Sequence, residues 1–243
     1  MQANKGGQKV AMVTGSTKGI GRAIAERLVA DGYSVITNGR NEPSAVLGEL
    51  FVKADTTEPG QIKLLIEKIK EKYSNVDVLV CNVGSGRQIG EIGSKARWDH
   101  YLNQNLLSSV LIIEALLEEN LLQEARIIGI SSIAAITHTS APVEYSVSKA
   151  ALITYFKNMA KVHAKNRTNF NIVNLGNVIF PGSTWEDKIK KDEESVQKYL
   201  EVEVPAKRFA TLDEISDLIS FMASTKCAFM TGAVINVDGG QSL

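Results

Sequence analysis

The chain has 243 residues, 44% hydrophobic and 22% charged, with 27 basic side chains balanced by 27 acidic ones. That length supports one domain with a sizeable core, and the balanced charge argues against nucleic acid or a membrane surface as partner. Two cysteines, Cys81 and Cys227, cannot build a disulfide framework and have no metal-ligand spacing, so they read as buried reduced thiols.

The start, Met1–Gln8, is polar and glycine-rich, with no apolar region behind a basic one. No stretch reaches the ~18 apolar residues of a membrane span, so a cytoplasmic protein is expected. Lys9–Thr14 predicts a strand that runs into a glycine loop, and Ile20–Ala30 a helix. Tyr33–Asn38 and Leu50–Ala54 predict two further strands. Gln61–Tyr73 predicts an amphipathic helix with Ile62, Leu65, Ile66 and Ile69 on one face. Val76–Cys81 is a near-continuous apolar strand, as expected where helices cover both sheet faces. Lys95–Leu122 predicts a long helix, Arg126–Ile130 a strand, Tyr145–Asn166 a helix and Asn169–Leu175 a strand. Leu212–Ala223 and Ala233–Val237 predict the last helix and strand. Such alternation predicts an α/β fold: a Rossmann-like, doubly wound parallel sheet of about seven strands with helices on both faces. No linker or repeat divides the chain, so 1–243 is expected to be one domain. Residues 182–205, charged and containing Trp185 and Tyr199, read as a long loop over the substrate.

The first strand leads into Thr14-Gly15-Ser16-Thr17-Lys18-Gly19-Ile20-Gly21 and then directly into a helix. Glycines there let the backbone approach a pyrophosphate, and the helix N-terminus offers free N–H groups and a positive dipole end. The second strand ends in Asn38-Gly39-Arg40, without the acid that accepts from a ribose 2′-hydroxyl. A guanidinium at Arg40 suits a 2′-phosphate, and Lys18 can reach the same group. NADP(H) is therefore expected in preference to NAD(H).

The TGxxxGxG turn resembles that of the short-chain dehydrogenase/reductase family, and the likeness extends over almost the whole chain. Cys81-Asn82-Val83-Gly84 stands where the family usually has NNAG, Pro181-Gly182 follows the sixth strand, and Val237-Asp238-Gly239-Gly240 lies near the C-terminus. The resemblance implies that Gly15, Ser16, Thr17, Lys18, Gly19, Ile20, Gly21, Arg40, Asp55, Asn82 and Gly84 bind the cofactor, Asp55 flanking the adenine. It implies the same for Pro181, Gly182, Tyr145 and Lys149. Glu186 occupies the place of a family threonine, and Thr184 is expected to hold the carboxamide in its stead.

Tyr145 and Lys149, four apart, lie on one helical face, where an ammonium would lower the phenol's pKa toward neutrality. Ser132 ends the fifth strand, at the crevice beyond the carboxyl ends of the strands, where its hydroxyl can donate to a carbonyl oxygen. Ser131 competes with it, and family spacing selects Ser132. Asn105, with Asn103 as a rival, is similar to the family asparagine that braces a water next to the lysine. The implied tetrad is Asn105, Ser132, Tyr145 and Lys149, serving hydride transfer between a nicotinamide and a carbonyl or secondary alcohol carbon. A non-catalytic NADP(H) sensor would predict an eroded tetrad, and this one is complete.

No metal site is expected, since His100, His138 and His163 are scattered; His138 is placed on the rim of the substrate pocket. The chain is most similar to 3-oxoacyl-carrier-protein reductases, which implies a small-molecule or carrier-bound carbonyl substrate. The acidic run from Glu114 to Glu124 opposes docking of an acidic carrier, whereas Lys157, Lys161, Lys165 and Arg167 would favour it. A sugar, sugar-nucleotide or secondary-metabolite hydroxyl is the alternative. The resemblance also implies a homotetramer or homodimer, with Phe229, Met230, Val234 and Leu243 candidates for its interface.

Overall fold

Seven strands, all parallel, form one sheet in the order β3-β2-β1-β4-β5-β6-β7. They are β1 (Val10–Val13), β2 (Ser34–Gly39), β3 (Leu50–Lys53), β4 (Val78–Cys81), β5 (Arg126–Ser132), β6 (Asn169–Leu175) and β7 (Val234–Val237). A computed structural model describes residues 7–243. Of the polar start read at Met1–Gln8, residues 1–6 lie outside the described residues. The helices are α1 (Gly19–Ala30), α2 (Pro59–Lys72), α3 (Lys95–Leu102), α4 (Ser108–Glu118), α5 (Val143–His163), α6 (Thr184–Lys191), α7 (Glu193–Glu203) and α8 (Leu212–Ala223).

Period-two alternation sorts the strand side chains into two cores. Val10 and Met12 of β1 pack with Ile62, Leu65 and Ile69 of α2, Ile112 and Leu116 of α4, and Leu152 and Phe156 of α5. Ala11 and Val13 face the other way, onto Ile24 and Leu28 of α1 and Ile215 and Ile219 of α8. All four residues of β1 are fully buried, which is why central strands of this sheet read as unbroken apolar runs. Each such Val, Leu or Ile contributes roughly 1.5–3 kcal/mol on burial, so both helical layers are held by ordinary packing.

Two elements differ from the sequence expectation. The long helix predicted to Leu122 is interrupted by a π-helical turn at Asn103–Leu107 and ends at Glu118. Asn120 then adopts a left-handed φ of 56°, which turns Leu121 and Leu122 back into the core. The segment read as a loop at 182–205 folds as α6 and α7. Ser183 Oγ accepts from Glu186 N at 3.1 Å to start α6, and Asp192 Oδ1 accepts from Ser195 N at 3.0 Å to start α7.

The chain winds outward in opposite directions from the β1/β4 pair, which opens a crevice beyond their carboxyl ends. No helix among the described residues is long and apolar enough to cross a membrane. Phe229 and Leu243 are fully exposed, Val234 is 37% exposed, and Met230 packs against the α1/α8 core.

Candidate active site

The loops that follow β1 and β4 are tied together where the crevice opens. Thr14 Oγ1 accepts from Asn82 N at 3.0 Å, while Asn82 Nδ2 donates to Thr14 O at 3.1 Å and Gly15 O at 3.0 Å. Ser16 is buried and joins the loop to the end of β2: its N donates to Asn38 O and its Oγ accepts from Asn38 N, both at 2.9 Å. Thr17 packs its methyl into the space over Gly39. Lys18, the residue before α1, makes no side-chain cap, so the first N–H groups of that helix are left for a ligand.

Gly21 shows how tight this turn is. A Cβ there would lie 2.4 Å from both Gly15 O and Asn82 Nδ2. The first turn of α1 can therefore press onto the loop only without a side chain, and the resulting cradle fits a dinucleotide pyrophosphate. Gly21→Ala is expected to weaken binding of a reduced nicotinamide dinucleotide at least ~10-fold, because the loop must shift to admit the methyl group. A fluorescence titration of variant and wild type, both folded by circular dichroism, checks this; equal affinities would refute the cradle.

Ser132, Tyr145 and Lys149 line the same cavity as Gly15, Lys18, Gly19, Ile20, Gly21, Asn82 and Gly84, with a volume of about 750 Å³. Ser132 ends β5, and its hydroxyl hydrogen-bonds the Tyr145 phenol in the first turn of α5. Ser131, buried beside it, also lines the cavity, and its Oγ donates to Lys149 O at 3.3 Å. Lys149 is buried and its Nζ donates to Ile130 O at 2.9 Å. Burial lowers its pKa to about 8, with the nearby Cys81 thiol opposing.

Tyr145 departs from expectation. Burial raises its phenol above the ordinary value, and only the Ser132 hydrogen bond pulls it down. The Lys149 ammonium is committed to Ile130 O rather than to the phenol.

Asn105 sits in the π turn, fully buried, while its rival Asn103 is exposed. Its Oδ1 accepts from Ser85 N at 2.8 Å, and its Nδ2 donates to Ser85 O at 3.2 Å and Tyr101 O at 3.0 Å. The carboxamide thus clasps the main chain just after Gly84, behind the cavity wall. Cys81 belongs to the α2/α4/α5 core, where burial pushes its thiol up to about 12, so its replacement of the family asparagine leaves the cavity untouched.

The remaining candidates are spread more widely. Arg40, 64% exposed, has Nη1 4.0 Å from Asp55 Oδ2, both beyond the strand ends and outside the cavity lining. Asp55 itself caps the next turn, its Oδ1 accepting from Thr57 N at 2.9 Å. Thr184 lines the cavity, whereas Pro181 and Gly182 stand outside it. Glu186 does not face the cavity: its Oε2 accepts from Gly182 N at 2.8 Å, and that bond, with Lys190, holds its carboxyl below the usual range. His138 is exposed, and Thr139, Ser140, Ala141 and Pro142 form the wall instead.

Several groups at the site carry no motif. Arg87 donates through Nη2 to Gly182 O at 2.9 Å and Asp187 Oδ2 at 3.0 Å, joining the loop after β4 to α6. Tyr199, Asn177 and Gln241 form a hydrogen-bonded cluster on the cavity wall. Arg97 and Glu144 make an ion pair at 3.0 Å, 6% and 5% exposed, beneath Tyr145 in sequence. None of these follows from a local spacing. The only sequence signal was an arginine and a glutamate at positions that helical periodicity assigns to a core face.

A doubly wound sheet with a glycine cradle at its switch point, and a half-buried Tyr145 and buried Lys149 lining the same cavity, defines a nicotinamide-dependent oxidoreductase. A family model described as Enoyl-(Acyl carrier protein) reductase matches residues 15–242. The chain is 34% identical to a 3-oxoacyl-[acyl-carrier-protein] reductase of Aquifex aeolicus, over 96% of this chain and 97% of the relative. It superposes on ligand-free aldohexose dehydrogenase of Thermoplasma acidophilum with a TM-score of 0.86, at 29% identity, covering 97% of this chain and 94% of that one. L-Sorbose reductase of Gluconobacter frateurii, complexed with NADPH and L-sorbose, gives a TM-score of 0.87 at 25% identity, with 97% of each chain covered. The chain belongs to the short-chain dehydrogenase/reductase family.

Proposed function

We propose that this chain is an NADP(H)-dependent oxidoreductase that reduces a carbonyl, or oxidises the matching secondary alcohol, with Tyr145 as the proton-exchanging group. The observation that carries the reading is the opening of the glycine cradle, Ser132, Tyr145 and Lys149 into one cavity. When bound, the nicotinamide supplies or accepts the hydride. Tyr145 holds the proton that the carbonyl oxygen takes up, and its raised pKa keeps it protonated at neutral pH. Ser132 donates to that oxygen as charge develops on it. Lys149, protonated below about pH 8, places a cation behind Tyr145. Asn105 holds the Ser85 main chain, and with it the adjacent Gly84 that lies against that lysine, a positioning role.

Three observations support NADP(H) over NAD(H). The end of β2 carries no acid, and the Asn38 amide is spent on Val52 O and Ala54 O, each at 3.0 Å. Arg40 and Lys18 are both exposed there, and the L-sorbose reductase neighbour is complexed with NADPH. A charge-assisted contact is worth about 1.5–3 kcal/mol, so wild type should prefer NADPH to NADH by at least ~10-fold. Arg40→Asp should reverse that order. Fluorescence titrations with both nucleotides decide it; equal affinities in wild type would remove the phosphate clamp.

For the substrate, the similarity to 3-oxoacyl-[acyl-carrier-protein] reductases supports a 3-oxoacyl thioester on an acidic carrier. The acidic run weighs less against it than its charge suggests, because Glu119 pairs with Lys70 at 2.5 Å and Glu124 with Arg167. A second reading, a hydroxyl-rich substrate such as those of the sugar-oxidising and sugar-reducing neighbours, is favoured by the Asn177–Tyr199–Gln241 cluster, which offers polar groups where an acyl chain needs an apolar wall.

A further inference from the structure

Tyr199 is held in an unusual way. Its phenolic oxygen accepts from Gln241 Nε2 at 2.7 Å and from Asn177 Nδ2 at 3.2 Å, while Asn177 Nδ2 also donates to Gln241 Oε1 at 2.8 Å. With two donors pointed at the oxygen, the phenol's own hydrogen is left to donate, and no acceptor takes it among the described residues. All three side chains line the cavity that holds Ser132 and Tyr145. The amides thus fix a hydroxyl donor on the substrate wall, drawn from β6's exit, α7 and the C-terminal turn.

A cation stands beside it. Trp185 lies against Tyr199 with ring centroids 4.9 Å apart, and Lys188 Nζ sits 4.2 Å over the Trp185 ring. Both Trp185 and Lys188 line the cavity. Asp187 is the only carboxylate in that lining among the described residues, and it is neutralised by Arg87 at 3.0 Å. Lys188 forms no ion pair among the described residues, so this wall presents one uncompensated positive charge next to a directed O–H donor.

We infer that the wall formed by Tyr199, Asn177, Gln241 and Lys188 binds an oxyanion, a carboxylate or phosphate, carried by a hydroxyl-rich substrate. Lys188 supplies the charge and the Tyr199 hydroxyl a directed bond to the oxyanion, while Trp185, packed against Tyr199 and beneath Lys188, holds the two side by side. The inference rests on the second substrate reading given above, and its test is separable from the oxidoreductase reading.

Trp185 is itself the reporter. In a Trp98→Phe background, Trp185 fluorescence is followed while D-glucuronate, D-glucose 6-phosphate, D-glucose and the uncharged thioester S-acetoacetyl-N-acetylcysteamine are titrated into protein saturated with NADP⁺. At least one of the two anions should bind ~10-fold or more tightly than glucose, and which of them does so tells carboxylate from phosphate. Lys188→Gln should abolish that preference, and Tyr199→Phe should weaken binding of the preferred anion at least ~5-fold. The inference is overturned if neither anion outbinds glucose, if the preference survives Lys188→Gln, or if the thioester outbinds both anions. The same titrations are repeated without NADP⁺, and a parallel NADPH titration reads the cofactor site: its failure would overturn the oxidoreductase proposal and leave the NADP⁺-free tryptophan result to decide this one.

Discussion

Tyr145→Phe is expected to lower kcat/KM by about 10²–10⁴, the usual worth of a positioned general acid or base, while NADPH affinity stays within roughly threefold of wild type. The substitution removes one oxygen and keeps the ring. That ring packs edge-on against Tyr101 with centroids 6.5 Å apart, so its anchoring survives. What is lost is the hydroxyl that the Ser132 hydroxyl orients and that burial keeps protonated. At neutral pH the phenol is protonated in the folded and the unfolded chain alike, so its raised pKa adds nothing to stability there, and the melting temperature should change little. A variant that keeps a tenth or more of wild-type kcat/KM would show that another group moves the proton, and Ser132 would be the next to test. A loss of NADPH affinity equal to the loss of activity would instead place Tyr145 in binding alone.

The parts of the fold that were legible in the sequence are those with local periodicity. Ile62, Leu65, Ile66 and Ile69 declare their face of α2 by spacing alone, and all four are buried. The Gly-rich turn and the Tyr145/Lys149 spacing were readable because each sits at a strand end or within one helical turn, whereas family spacing was needed to choose Ser132 over Ser131. Asn105 was harder to separate from Asn103, because the π turn that buries one and exposes the other leaves no mark on the apolar pattern. Helices α6 and α7 were missed for a compositional reason. Lys and Glu dominate them, α6 has no fully buried residue, and only Val196 and Leu200 of α7 are buried, so the periodic signal is faint. Their caps, Ser183 and Asp192, were the readable evidence. Tyr199, Asn177 and Gln241 meet only in the folded chain, from three separate elements, and no spacing rule joins them.

Arg97→Met is expected to lower the melting temperature by roughly 5–15 °C at neutral pH, because it strands a buried carboxylate. Arg97 Nε lies 3.0 Å from Glu144 Oε1, its Nη1 donates to Ile89 O at 2.9 Å, and its guanidinium lies over the Tyr101 ring. Tyr101 in turn donates to Arg87 O at 2.8 Å. The pair therefore fastens α3 and the loop after β4 to the first turn of α5, where Tyr145 stands. In wild type, Glu144's own backbone N–H and then Arg97 hold its carboxyl below the usual range against the opposing effect of burial. Its stabilising contribution is present above the unfolded value near ~4.3 and is lost as pH falls through the lower folded value. Without Arg97 the carboxyl keeps the bond from its own N–H, which outweighs burial, so its folded value rises toward the unfolded one but stays below it. The Glu144 part of the deficit is then full above ~4.3 and disappears as pH falls through the two folded values. The deficit relative to wild type should accordingly hold steady from pH 7.5 to pH 5 and shrink only below pH ~4, as thermal melts across that range would show. Arg97→Met combined with Glu144→Leu should recover much of the loss, since replacing both members of a buried pair with apolar groups is often neutral or better. A deficit that does not shrink at the acid end, or a double variant no more stable than Arg97→Met, would mean that the lost bond to Ile89 O and the stacking on Tyr101, rather than the charge on Glu144, are what Arg97 contributes.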